Sequence, residues 1–232
     1  MNKTKHIAII PARKGSVGLP KKNQILFKNT VNFLKNLMWI DEVIVSSDDL
    51  IVLEKASRQN YICYNRPKIL SGPNISIKKV LEDLCEYFEI DKNTIVWLFY
   101  LPIVYKEYSD FEKAKKVIEK SKIRSLCSFI PAKTHPFNTW KYDKKKNKLY
   151  QYIKNDIYRR QDLPSAWMHH HYICCFKIKE LKNLNSELLN SNTYPIFLSR
   201  ETSEKLIEID TPKDFEKWKE INSIKKFKNE KK

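Results

Sequence analysis

The chain has 232 residues, 42% of them hydrophobic and 12% aromatic, and its 44 Lys and Arg against 27 Asp and Glu leave a formal net charge of +17. That length fits one large α/β domain, and no apolar run reaches the ~18 residues of a membrane span or the ~7–15 residues of an export signal, so a soluble cytoplasmic protein with no membrane partner is expected. The positive charge would suit nucleic acid, but Lys, Asn and Ile abound throughout and runs such as 144–146 read as solvated surface, so no nucleic-acid partner is expected; five scattered cysteines without C-x-x-C spacing read as reduced thiols.

The first strand is predicted at 7–11, and the segment after it is unusual. Only three glycines occur in the chain, about 1% against a typical ~7%, and two of them, Gly15 and Gly18, fall between Pro11 and Asn23. A glycine turn at a strand end lets backbone N–H groups approach an anion, and Arg13, Ser16, Lys21, Lys22 and Asn23 add donors. An ordinary strand-to-helix turn can also hold Gly, Pro and Lys. A second strand at 43–45 runs into Ser46, Ser47, Asp48 and Asp49, groups that either meet a ligand or cap the next helix.

A helix is predicted over 76–88, with Val80, Leu81, Leu84 and Phe88 on one face, followed by a strand at 95–101. The pattern repeats with a helix over 110–120, with Phe111, Ala114, Val117 and Ile118 on one face, and a strand at 125–130. Such alternation predicts βαβ units and a mainly parallel sheet, whose ligands bind outside the carboxyl ends of the strands. Residues 133–170 break the rhythm around a Lys-rich turn at 142–148 and read as an insertion: a hairpin or arm over the site, a contact with a second subunit, or an idle loop.

Near the end of the insertion, Met168-His-His-His-Tyr172 places His169 and His171 on one face of an extended chain and His170 on the other. No further clustered ligand is visible in the sequence, so zinc is not expected there. Strands follow at 172–176 and 206–209. On the latter, Glu208 and Asp210 project from one face, which suits a hard cation, while Thr211, Pro212 and Asp214 supply a cap, a first-turn proline and a capping acid. An acidic helix start with no ligand is the plainer reading. Residues 223–232 form a basic tail.

The segment Ile9-Ile-Pro-Ala-Arg-Lys-Gly-Ser-Val-Gly-Leu-Pro-Lys-Lys-Asn23 resembles the signature of the acylneuraminate cytidylyltransferases, the CMP-sialic acid and CMP-Kdo synthetases, which usually reads I-P-A-R-x-G-S-K-G and then K-N. The likeness continues in order through Val43-Ile-Val-Ser-Ser-Asp48, Arg66-Pro67, Arg160-Gln-Asp-Leu-Pro164 and Ile207-Glu-Ile-Asp-Thr-Pro-Lys-Asp-Phe215. It implies an α/β fold over 1–222: a mainly parallel, Rossmann-like nucleotidyltransferase sheet flanked by helices, with a small inserted arm at 133–170 for the sugar site and dimerisation. It implies transfer of CMP from CTP to a sialic-acid-like nonulosonic acid, with release of pyrophosphate, by a homodimer using Mg2+.

Carried over residue by residue, the resemblance puts Arg13, Gly15, Ser16, Lys22, Asn23, Asp48 and Arg66 at the nucleotide, and Arg160, Gln161 and His170 at the sugar. Glu208 and Asp210 fall at the metal, and Arg13, Lys22 and Asp210 in catalysis. Besides Glu208, where the family more often has Asp, the chain departs from the family at four places. Val17 replaces the loop lysine; Trp97-Leu-Phe-Tyr-Leu-Pro-Ile-Val104 replaces L-Q-P-T-S-P-L-R; His170 and His171 replace Asn-Gly; and the stretch between Asn23 and Val43 is shorter. Alternatives are a different acidic sugar such as Kdo, a catalytically degenerate nucleotide binder, or a basic nucleic-acid-binding protein.

Overall fold

A computed structural model describes residues 4–229, with side chains described as far as residue 221. In β1 (His6–Pro11) the pleat sends Ile7 and Ile9 into one core layer and Ala8 and Ile10 into the other. β1 leads through α1 (Lys22–Leu34) to β2 (Glu42–Ser47), then through α2 (Leu50–Ser57) to β3 (Ile62–Asn65). The chain next crosses by α3 (Ile77–Tyr87) to β4 (Ile95–Leu98), on the other side of β1, and continues through α4 (Tyr108–Ile118) to β5 (Ser125–Pro131).

A hairpin of β6 (Trp140–Asp143) and β7 (Lys148–Gln151) follows, then β8 (Trp167–Lys177), β9 (Tyr194–Phe197), α5 (Arg200–Lys205) and α6 (Pro212–Asn229). The large sheet has the order β3-β2-β1-β4-β8-β5-β9, and all its strands share one direction except β8. The mainly parallel α/β sheet is therefore as expected. Because β1 pairs with both β2 and β4, the connections leaving β1 and β4 diverge at the carboxyl edge and open a crevice there.

Two apolar layers hold the sheet. Leu26, Phe27 and Val31 of α1, Val52 of α2 and Phe111 and Ala114 of α4 cover one face. Leu81 and Leu84 of α3, with Leu181 from a 3-10 segment at Ile178–Asn183 and Leu184 just after it, cover the other. Each fully buried large side chain contributes about 1.5–3 kcal/mol.

Several expectations need correction. The strand predicted at 206–209 is only an isolated antiparallel bridge between Glu208 and Ile103, because α5 ends at Lys205 and the cap of α6 starts at Thr211, leaving too little chain for a ladder. The strand predicted at 172–176 begins at Trp167, so the three histidines lie inside it and the inserted arm is shorter than 133–170. β3 and β9 are edge strands without a buried run; β9 carries Pro195, which only an edge tolerates readily. The end of the predicted tail, residues 230–232, lies outside the described residues; α6 carries the backbone helix to Asn229.

Candidate functional site

The chain leaves β1 and turns at Gly15, whose φ of +80° is a conformation that favours glycine. The turn is fastened from several sides. The Lys14 amide donates to Asp48 Oδ1 at 2.6 Å, the Ser47 hydroxyl to the Ala12 carbonyl at 2.6 Å, and Asn23 Nδ2 to the Arg13 carbonyl at 2.8 Å. The two acids following β2 thus divide their work: Asp48 holds the loop, and Asp49 caps α2 by accepting from the Ile51 amide. Gly18 answers a different demand. A Cβ there would lie 2.2 Å from the carbonyl oxygen of Asp210, so its bare backbone lets the loop abut the acidic segment near the other end of the chain.

Beside the loop, at the divergence of the connections from β1 and β4, lies a cleft of about 230 Å³. Arg13, Ser16, Lys22, Asn23 and Arg66 line it; Gly15 stays in the turn, and Asp48 stands behind the loop. Arg66 is buried and braced by Ser46, with Nε on the hydroxyl at 3.1 Å and a terminal nitrogen on the carbonyl at 2.9 Å. Burial lowers the guanidinium from its ordinary value, with Asp48 opposing and Arg13 adding. Sequence reasoning missed Gly72 and Tyr100 on the cleft wall. The scarcity that singled out two glycines applied equally to the third.

The acidic segment reaches the cleft lining through Lys22. Lys22 Nζ meets Asp210 Oδ1 at 2.6 Å. Glu208, bridged to Ile103, has its carboxyl raised above the usual range by desolvation and then by the charge of Asp210, with Lys22 opposing. The expected cap is present: Asp214 Oδ2 accepts from the Thr211 and Asp210 amides at 2.8 and 3.2 Å, and Thr211 Oγ1 accepts from the Asp214 amide at 3.3 Å. The segment thus sets two carboxylates, Glu208 and Asp210, beside the basic glycine loop, and carboxylate oxygens are the donor type that hard divalent cations take.

Glu208 lines a second, larger pocket of about 760 Å³ that gathers Arg160, His170, Lys133, Arg200 and Lys217. The structure therefore brings together Arg160, His170 and Glu208 from an arm, a strand and a loop. Gln161, expected beside Arg160, is exposed and lines neither space, because Arg160–Asp162 is a single 3-10 turn that points successive side chains apart. Burial, with His171, His169 and Lys133 adding, lowers His170 to about 4, and its Nδ1 accepts from the Tyr172 amide at 3.1 Å. The imidazole is neutral and presents its Nε2–H.

Solved structures with the same architecture include CMP:2-keto-3-deoxy-manno-octonic acid synthetase complexed with CTP, which superposes with a TM-score of 0.65 at 14% identity over 96% of this chain and 100% of the other. The fold is that of the cytidylyltransferases. The 2-C-methyl-D-erythritol 4-phosphate cytidylyltransferase of Francisella tularensis matches over 93% of this chain and 99% of its own, with a TM-score of 0.60 and 14% identity. A cytidylyltransferase from Leptospira borgpetersenii matches over 92% and 84%, with a TM-score of 0.57, also at 14% identity. No protein-family model and no curated protein matches the chain. At such low identity the shared property is the fold, and the chemistry rests on this chain's own residues.

Proposed function

We propose that this chain transfers CMP from CTP to an acidic sugar of the nonulosonic, sialic-acid-like type, releasing pyrophosphate in the cytoplasm. The observation that carries the reading is the docking of the glycine loop onto the acidic segment: Gly18 against Asp210 and Lys22 paired with Asp210 bring the loop's donors beside a carboxylate, which supports a site for a triphosphate with its cation. Arg13, Ser16, Lys22, Asn23 and the loop amides hold the triphosphate, and Arg66 adds a fixed charge from the wall. Glu208 and Asp210 would hold magnesium, which supplies charge neutralisation at the phosphates when bound.

Arg160 pairs its guanidinium fork with the sugar carboxylate, and His170 donates Nε2–H to a sugar oxygen. The acceptor's anomeric oxygen attacks the α-phosphorus in line and pyrophosphate leaves, so the residues contribute position and charge rather than a covalent intermediate. The Trp97-to-Val104 departure favours a second acceptor class, since Tyr100 and Pro102 line the cleft where the resembling family carries a different segment; Kdo is that alternative. The arm supports a homodimer, with Trp140, Tyr142, Leu149 and Tyr150 exposed on its hairpin.

The test incubates the protein with CTP, Mg2+ and a panel of nonulosonic acids and Kdo, and follows pyrophosphate release and the CMP-sugar by mass spectrometry. Arg160→Ala is expected to raise KM for the acid sugar and leave CTP affinity unchanged. No turnover with any acid, in protein that binds CTP, sinks the activity; a monomer by light scattering sinks the dimer.

A further inference from the structure

The histidine run of β8 has a partner that its sequence neighbourhood does not show. Glu187 lies in the connection from the 3-10 segment to β9, and the fold returns it to the histidine-bearing half of β8, where His169 Nε2 stands 3.4 Å from Glu187 Oε2. The rings of His169 and His171 are 5.3 Å apart. One ligand atom from each of His169, His171 and Glu187 lies within 4.8 Å of the other two. Donors held about 2.0–2.2 Å from a tetrahedral zinc ion are themselves about 3.3–3.6 Å apart, so the His169–Glu187 separation is already that of two ligands on one ion.

The orientation of His171 adds a second, independent feature. Its Nε2 meets the backbone carbonyl of Glu187 at 3.0 Å. A carbonyl accepting one ring N–H is the usual device that fixes a ligating imidazole and leaves the other nitrogen as the donor. The two histidines are half-buried and Glu187 is exposed, so water can complete the coordination.

We propose that His169, His171 and Glu187 bind one divalent transition-metal ion of the zinc class, on the opposite face of β8 from His170 and apart from the Glu208–Asp210 pair. The ion ties the segment around Glu187 to β8. It also braces the nucleotide cleft, because the ring of Tyr100, which lines that cleft, packs on His171 at 5.1 Å. A rival ligand set lies below: Cys127 and Cys174 also come within reach of His171. Both thiols are fully enclosed, and the hydrogen bond with Cys127, followed by burial, holds the Cys174 thiol well above its ordinary value, which favours the nitrogen and oxygen set.

The test titrates Co2+ into full-length chain made without a histidine tag, in excess Mg2+. One ion per chain is expected, with the visible absorption of a four-coordinate ion and no thiolate charge-transfer band. Glu187→Gln and His169→Ala should each weaken binding by more than the about 10- to 100-fold that loss of an outer partner costs, with the far-ultraviolet dichroism unchanged, while His170→Ala binds as before. Absence of stoichiometric binding, a strong thiolate band, or equal binding by the Glu187 and His169 variants would overturn the site. Glu187 is exposed, so its substitution tests the proposal even if the histidine variant fails to fold.

Discussion

Gly15 and Gly18 sit three positions apart in one loop and are required for different reasons. Gly15 needs its left-handed backbone, with nothing within 4 Å of the position a Cβ would take, whereas Gly18 needs the missing Cβ itself. Asn tolerates the left-handed region, so Gly15→Asn should leave stability nearly unchanged. Gly18→Ala forces the loop off Asp210; overpacking of this kind costs about 1–3 kcal/mol, and each kcal/mol lowers the melting temperature by about 2–4 °C at this chain length. Calorimetric melting of the two variants decides it, and a Gly18→Ala protein melting with the parent would refute the contact. The loop was legible because its donors are contiguous and follow a strand. Gln161 lies outside the two pockets and Glu187 was unseen because local turns and returning segments, rather than sequence proximity, decide which side chains share a pocket.

Elements with a full apolar stripe were legible: α3 lies within one residue at each end of its predicted span, with Ser76 as its cap, and α4 within two. β3 and β9 were not, since an edge strand needs no buried run, and neither was the reach of β8 through its polar half. The connection from β4 to α4 hides a further polar group. Lys106 points its Nζ at the Ile103 carbonyl and at Thr30 Oγ1 of α1, at 3.3 Å from the latter, and burial pushes it down to about 7. The unfolded chain keeps this proton up to about 10.5 while the folded chain releases it near 7, so between those values the unfolded state binds more protons and stability rises with pH. Lys106→Met should flatten that rise and stabilise the protein below pH 7. Urea midpoints measured across the interval check it; a parent protein with no rise would show the amine to be hydrated.

At the scale of the molecule, the order β3-β2-β1-β4 places the cleft, because chain segments leaving β1 and β4 part company only at that edge. The parallel α/β class was legible from alternating patterns; the antiparallel β8, which carries His170 into one pocket and His169 and His171 to the other face, was not, since sheet direction is set by connections and not by composition. Ligand binding to this preformed edge should stabilise the whole fold. CTP at 100 times its Kd adds about 2.7 kcal/mol, or about 5–11 °C of melting temperature, and ATP, GTP and UTP should add less; equal shifts for all four would remove base selectivity. The contact between Lys22 and Asp210 spans 188 positions of the chain. It makes the lysine an internal counter-ion of Asp210, standing where the proposed magnesium would bind. On that proposal a cation arriving at Asp210 competes with the lysine, and a phosphate that draws the ammonium away ends the competition, so metal and nucleotide are expected to promote each other's binding. In Lys22→Met the placeholder is gone: the nucleotide-free chain should take up Mn2+ more tightly than the parent by calorimetry, bind CTP more weakly, and lose the mutual enhancement between the two.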